Sequence, residues 1–191
     1  MKRAFAVLLI TVILISLFGC SVPENTGIIN SGGGKDTAMS SETVSDVSSE
    51  LAAFESETFD GDTFTSDEFS KYDITIINVW ATWCQPCISE LPSFEKLSEE
   101  YKDKNVKVAG ILFDSEEDGM IDEGKRIIED AGVTYTMLRM SDSAHELLEK
   151  PYNMQGLPTT FFVDSNGNVI KSYVGANTYE GWKKILDEVK K

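Results

Sequence analysis

The most informative segment of the sequence is Ile74-Thr-Ile-Ile-Asn-Val-Trp80-Ala-Thr-Trp83-Cys84-Gln-Pro-Cys87. Its first seven residues are mostly β-branched and apolar, which predicts a buried strand. Residues 88–101 predict a helix, so the two cysteines are expected at a strand-to-helix junction. Unpaired amides and the positive dipole end at a helix start favour a thiolate. We therefore expect one cysteine to be nucleophilic and the pair to exchange electrons with disulfides.

The chain after this motif alternates strands and helices. We expect a strand at 106–113, a helix at 122–131 closed by Gly132, a short strand at 135–138, a short helix at 143–150, an antiparallel pair at 159–163 and 168–174 around Asn166-Gly167, and a final amphipathic helix at 179–189. Pro92 should bend the helix that follows the cysteines without ending it. This order predicts an α/β fold with a mixed central sheet flanked by helices.

The segment before the motif predicts an additional N-terminal β-hairpin. Asp60-Gly61 is a turn dipeptide between the short segments 55–59 and 63–64, which contain the apolar residues Phe59 and Phe64. The folded domain is therefore expected to span residues 53–191.

The first 52 residues have the composition of a leader and a spacer. Lys2 and Arg3 precede an apolar run at 4–18, which is short for a membrane span of about 20 residues and instead predicts a signal peptide at 1–19. The run ends in Leu17-Phe18-Gly19-Cys20, which resembles a bacterial lipobox and predicts lipidation of Cys20. An uncleaved membrane anchor is the alternative. Residues 20–52 are rich in Ser, Gly and acidic residues, which predicts a flexible spacer.

The charge balance excludes some classes of partner. The chain has 32 acidic and 17 basic residues and a formal net charge of -15. Nucleic acids and anionic membrane surfaces bind faces with an excess of Lys and Arg, so neither is an expected partner. The acidic loop at 114–118 does not match the ligand spacing of a calcium loop, and we expect it to be solvated.

Two distant motifs together carry a resemblance to a known family. The Trp83-Cys84-Gln-Pro-Cys87 motif and the segment Gly156-Leu157-Pro158-Thr-Thr160 resemble the thioredoxin fold, and the resemblance covers about residues 54–191. Within this fold, the chain most resembles the membrane-tethered, extracytoplasmic branch typified by TlpA and ResA. The resemblance implies a thioredoxin-like fold and thiol-disulfide oxidoreductase activity.

The resemblance also implies roles for single residues. Cys84 is expected to be the exposed nucleophile, and Cys87 the thiol that resolves the mixed disulfide; a purely structural disulfide is the alternative. Asn78 stands where cytoplasmic thioredoxins carry an aspartate, so proton transfer must use another group. Glu90 lies about one helical turn after Cys87, and the resemblance implies that it accepts and returns the Cys87 proton. The alternative for Glu90 is a solvated helix glutamate.

Substrate contacts are expected around a proline. In the thioredoxin fold the residue matching Pro158 is cis, and the backbone of the residue matching Leu157 pairs with an extended substrate. Trp83, Gln85 and Pro86 complete the expected substrate-binding surface. The core is expected to contain Trp80, Phe161, Phe162 and Tyr173. His145, the lone histidine, is assigned no role.

The sequence therefore predicts a monomeric, lipid-anchored thiol-disulfide oxidoreductase at the outer face of the bacterial cytoplasmic membrane. The resemblance implies a reductase that takes electrons from a membrane thiol-transfer protein. Apocytochrome c and methionine sulfoxide reductases are the leading substrate classes. A disulfide-forming oxidant is one alternative.

A non-catalytic carrier of copper or haem for oxidase assembly is the other alternative. Neither a cofactor nor a metal is expected. A structural zinc site needs four Cys or His ligands, and only His145 is available beyond the cysteine pair. Attachment of c-type haem needs a histidine where Ile88 stands.

Overall fold

The structure is a computed structural model, and it describes residue 51, residues 53–149 and residues 154–191. The predicted signal peptide, Cys20 and all of the predicted spacer except Leu51 lie outside the described residues. The end of the helix predicted at 143–150 also lies outside them. Within the described ranges, no helix combines the length and apolar character needed to cross a membrane.

A five-stranded mixed sheet forms the centre of the domain, which confirms the predicted fold. The strands among the described residues are β1 (Glu55–Glu57), β2 (Thr63–Thr65), β3 (Ile74–Trp80), β4 (Val106–Leu112), β5 (Thr136–Arg139), β6 (Thr159–Asp164) and β7 (Val169–Val174). The strand order in the central sheet is β5-β4-β3-β6-β7. β3, β4 and β5 are parallel, whereas β6 is antiparallel to both β3 and β7. The β6–β7 pair is the predicted C-terminal hairpin.

In the described part of the chain, four α-helices accompany the sheet: α1 (Gln85–Tyr101), α2 (Met120–Asp130), α3 (Asp142–Glu149) and α4 (Tyr179–Val189). The largest difference from the predicted boundaries is at α1, which begins at Gln85 and not at residue 88. Cys84 occupies the N-cap and Pro86 lies in the first turn, where its missing N–H is not needed. The helix continues past Pro92, as expected.

The predicted N-terminal hairpin is also confirmed. β1 and β2 pair in antiparallel fashion as a separate two-stranded sheet. A 3-10 helix that the sequence patterns do not predict, Ser66–Lys71, then leads to β3. Its buried Phe69 packs against Phe54 and Phe64, with ring centroids 5.9 Å away in both pairs. This aromatic cluster attaches the hairpin segment to the domain.

Both faces of the central sheet are covered by core residues, and the cysteine motif follows the C-terminal end of the buried strand β3. All seven residues of β3 are buried. On one face, Trp80 belongs to the same core cluster as Phe94 of α1 and Trp182 of α4. On the other face, Ile77 packs in a cluster with Phe161. This double burial is typical of a central strand of an α/β sheet, and it fixes the point at which the cysteine motif begins.

The predicted core residues are mostly confirmed. Trp80, Phe161 and Phe162 have no exposed surface. Tyr173 is only partly buried, because β7 is an edge strand, but its ring lies edge-on to that of Trp182 at a centroid distance of 5.1 Å. The face of α4 predicted to be apolar does face the core, with Trp182 fully buried.

Candidate active site

The two cysteines of the motif form a disulfide at the start of α1. Their Cα atoms are 5.3 Å apart. The Cys84 Sγ accepts a hydrogen bond from the backbone N–H of Cys87 at 3.3 Å, which is the geometry of an N-cap. The backbone N–H of Cys84 donates to the carbonyl of Ala81 at 3.1 Å, closing a turn between β3 and the helix. The sulfur that would carry a thiolate after reduction therefore lies at the positive end of α1.

Cys84 is much less exposed than the sequence predicts. Only 5% of Cys84 is accessible, and Cys87 is fully buried. The expectation of an exposed Cys84 is wrong for the disulfide form, because the Cys84 sulfur is bonded to Cys87 and packs in the main core cluster. Cys84 is still the more accessible of the pair, as an attacking thiol requires.

The other motif residues present a surface around the disulfide. Trp83 is 63% exposed, an unusual state for so large an apolar side chain. Gln85 and Pro86 are exposed as well. These side chains have the accessibility that the predicted substrate-binding surface requires.

Glu90 lies on α1, three residues after Cys87, and only 2% of it is exposed. Its Oε1 accepts a hydrogen bond from Asn78 Nδ2 at 3.0 Å. Its Oε2 accepts from the backbone N–H of Asn177 at 3.0 Å and from Trp182 Nε1 at 3.3 Å. The alternative of a solvated helix glutamate is therefore wrong.

Burial raises the pKa of Glu90 from 4.5 to about 7. The three hydrogen bonds act in the opposite direction, because N–H donors stabilise the carboxylate, but the desolvation outweighs them. A carboxyl group that titrates near neutral pH can either accept or return a proton under physiological conditions. Asn78, which donates to Glu90, also donates to Thr160 Oγ1 at 3.1 Å and so ties the carboxyl group to β6.

The Leu157–Pro158 peptide bond is cis, as the resemblance implied. Thr159 pairs with Val79 in the sheet, so Pro158 lies at the end of β3 from which the cysteine motif departs. Leu157 is half-buried against the core. The sheet thereby brings Pro158 to the same edge as the disulfide, although the two motifs are far apart in sequence.

The prediction of a solvated loop at 114–118 is wrong for Asp114. It is only 3% exposed. Its carboxylate accepts hydrogen bonds from both the backbone N–H of Thr82, at 3.2 Å to Oδ2, and the Thr82 hydroxyl. The strand pairing could have predicted this contact. β3 and β4 are parallel neighbours with Trp80 opposite Leu112, so the residues that follow the two strands meet at one edge of the sheet.

Among the described residues, no three His, Cys, Asp or Glu side chains are grouped so that they could hold a metal ion. His145 lies on α3 and contacts Glu116 at 3.0 Å through Nε2.

Gly181, in the first turn of α4, is expected to be needed for the contact between Asn177 and Glu90. A Cβ at position 181 would lie 2.5 Å from Asn177 Cγ, so the Asn177 side chain would have to leave its place and its bond to the Thr178 N–H. We expect Gly181→Ala to disturb the Asn177 N–H and to raise the pKa of Glu90 by up to about one pH unit. Carboxyl ¹³C NMR of the oxidised protein measures this pKa.

The double variant Gly181→Ala with Asn177→Gly is the matched control for this prediction. It removes the side chain that the new Cβ would meet and keeps the backbone N–H at 177, so the wild-type pKa of Glu90 should return. An unchanged pKa in the single variant would contradict the prediction.

Solved structures with the same fold include thiol-disulfide exchange proteins. A thiol:disulfide interchange protein of the thioredoxin family from Chlorobium tepidum TLS matches with a TM-score of 0.63 and 23% identity, over 73% of this chain and 94% of that one. StoA from Bacillus subtilis matches with a TM-score of 0.56 and 27% identity, over 70% of this chain and 96% of StoA.

Curated proteins of related sequence have similar names. The thioredoxin-like protein YneN of Bacillus subtilis is 31% identical over 112 residues, 59% of this chain and 62% of YneN. The thiol-disulfide oxidoreductase ResA of Oceanobacillus iheyensis is 30% identical over 114 residues, 60% of this chain and 56% of ResA. The chain thus spans about three fifths of the length of these relatives.

A family profile gives the widest of these sequence matches. The profile described as the AhpC/TSA family matches residues 47–172, a segment that contains the hairpin, the cysteine motif, Glu90 and Pro158. Together with the relatives, it confirms the resemblance to ResA-type proteins of the thioredoxin fold. The chain belongs to the AhpC/TSA family.

Proposed function

We propose that the protein is a thiol-disulfide oxidoreductase that works through Cys84 and Cys87. The observation that carries this proposal is the position of the disulfide at the N-terminus of α1, with a buried Glu90 of pKa about 7 on the same helix. A helix start favours the thiolate, and the buried carboxyl group provides a proton acceptor at neutral pH. The names of the relatives support the same activity.

In the reducing direction, the Cys84 thiolate attacks one sulfur of a substrate disulfide, forms a mixed disulfide and releases the other substrate sulfur as a thiolate. Cys87 passes its proton to Glu90 and attacks the Cys84 sulfur. The bond between Cys84 and the substrate breaks, and the Cys84–Cys87 disulfide forms. Glu90 returns the proton to the departing substrate thiolate. The substrate gains two electrons and the protein loses two.

The substrate is proposed to lie along Trp83, Gln85 and Pro86 and to pair with the backbone of Leu157 beside Pro158. The exposure of Trp83, Gln85 and Pro86 supports this path. Exported proteins with a disulfide, such as apocytochrome c or methionine sulfoxide reductase, are the proposed clients.

The proposed location is the outer face of the bacterial cytoplasmic membrane, where the protein acts as a monomer. The leader-like residues 1–19 and the lipobox-like sequence ending at Cys20 support a lipid anchor there. A membrane thiol-transfer protein is the proposed electron donor, since the cytoplasm holds the reducing equivalents and the membrane separates them from the domain.

An insulin-reduction assay combined with the reduction potential of the cysteine pair tests the function and its direction. Rapid insulin reduction with a potential near or below that of thioredoxin, about -270 mV, supports a reductase. A potential near -120 mV indicates an oxidant. Tight stoichiometric copper binding by the reduced protein without exchange activity would overturn the proposal in favour of a metal carrier.

A further inference from the structure

Asp114 is a buried carboxylate that has no cationic partner among the described residues. It follows β4 directly, and in the described part of the chain its side chain is bound only by the N–H and hydroxyl of Thr82. Burying a charge without a counterion is costly, and two neutral donors compensate for only part of that cost. A neutral side chain could cap the same turn at a lower cost, so the charge itself requires an explanation.

The carboxylate lies close to the cysteine that carries the thiolate. Its Oδ2 is 3.2 Å from the Thr82 nitrogen, which is bonded to the carbonyl carbon of Ala81. The hydrogen bond from the Cys84 N–H to the Ala81 carbonyl closes a turn. Residues joined by such a turn have Cα atoms within about 7 Å, so the Cys84 Cα lies within roughly 13 Å of the Asp114 carboxylate. At that distance inside a protein, a charge changes an ionisation equilibrium by about tenfold.

We propose that Asp114 makes the cysteine pair more reducing by opposing the Cys84 thiolate. This inference rests on the proposed function and concerns the direction in which that function runs. The helix start stabilises the thiolate and so stabilises the reduced protein, which is the property of an oxidant. The Asp114 charge works against the helix start. The reduced protein is thereby destabilised relative to the disulfide and donates its electrons more readily.

The effect of Asp114 on the reduction potential should depend on pH. Reduction of the pair adds two electrons and two protons and breaks the Cys84–Cys87 bond; above the thiol pKa of Cys84, one of these protons is released again. Only that thiolate form is repelled by Asp114, because a neutral thiol and a disulfide carry no charge. The effect on the reduction potential should therefore be present above the thiol pKa and absent below it.

Other ionisable groups around the motif differ from Asp114 in position or exposure. Cys87 and Glu90 follow Cys84 on α1. Tyr135 interacts with Glu90, and burial raises the pKa of Tyr135 well above its ordinary value, so this side chain stays neutral. The remaining acidic residues of the loop, Glu116, Glu117 and Asp118, are exposed, so solvent and salt screen their charges.

The test compares Asp114→Asn with two control variants. We expect Asp114→Asn to lower the Cys84 thiol pKa by about one pH unit. In dithiothreitol redox buffers at a pH above the wild-type thiol pKa, the ratio of reduced to oxidised protein should be about tenfold higher in the variant, equivalent to about 30 mV. At a pH below the thiol pKa of the variant, wild type and variant should have the same reduction potential. Thiolate ultraviolet absorbance measures the pKa, and mass spectrometry after alkylation measures the ratio.

The controls separate charge from structure. Thr82→Val removes the hydroxyl donor but keeps the charge, and Glu116→Gln removes an exposed charge from the same loop; both should keep the wild-type thiol pKa. Asp114→Ser provides a second neutral variant, with the same expected shift, if Asp114→Asn does not fold. An unchanged thiol pKa in the neutral variants, or an equal shift in Thr82→Val, overturns the inference. Failure of the wild type to reduce insulin while the pKa shift is present overturns the proposed function alone.

Discussion

Replacing Cys84 with serine should lower the rate of insulin reduction at least about a thousandfold, to the background of the assay. A serine hydroxyl can still accept the hydrogen bond from the Cys87 N–H, so the start of α1 should be preserved. It cannot supply a thiolate at neutral pH, and the remaining thiol, Cys87, is fully buried in the disulfide form. The expected loss is therefore a loss of chemistry and not of folding.

Cys87→Ser is the matched variant for this prediction. Cys84 should still attack the substrate, but the motif then has no second thiol to release it, so a mixed disulfide between Cys84 and the substrate should accumulate. Mass spectrometry under non-reducing conditions detects that species. Trapping through Cys87 in the Cys84→Ser variant, with none through Cys84 in the Cys87→Ser variant, would reverse the assigned roles.

The parts of the site that a local pattern encodes could be predicted from the sequence. The bounds of β3, Ile74–Trp80, follow from its mostly β-branched and apolar composition. Those of α4, Tyr179–Val189, follow from its amphipathic period. α1 begins three residues earlier than predicted, because cysteine is not among the common N-cap residues.

The environment of the two carboxyl groups could not be predicted in the same way, because it depends on contacts distant in sequence. Glu90 is enclosed by Asn78 of β3 and by Trp182 of α4, which are 12 and 92 residues away. Asp114 lies in a sequence rich in acidic residues, where a solvated loop is the usual outcome. Only the parallel pairing of β3 with β4 brings it to Thr82, 32 residues away.

The buried Glu90 should also make the stability of the oxidised protein depend on pH. Its pKa is about 7 in the folded protein, against an ordinary value of 4.5. Between these values the folded state retains a proton that the unfolded state has lost, so unfolding releases a proton and rising pH destabilises the protein. The free energy of unfolding should fall by about 3 kcal/mol across this range and level off above pH 7.

Glu90→Gln should abolish this fall, because the amide does not titrate. Urea denaturation of the disulfide form at pH 4.5 and at pH 8 measures the difference, and the variant should gain about 3 kcal/mol relative to wild type between the two conditions. Glu99→Gln removes an exposed carboxyl group from the same helix and should leave the fall intact. If Glu90→Gln retained the full pH dependence, another group would have to cause it, and the case for Glu90 as the proton acceptor of Cys87 would lose its physical basis.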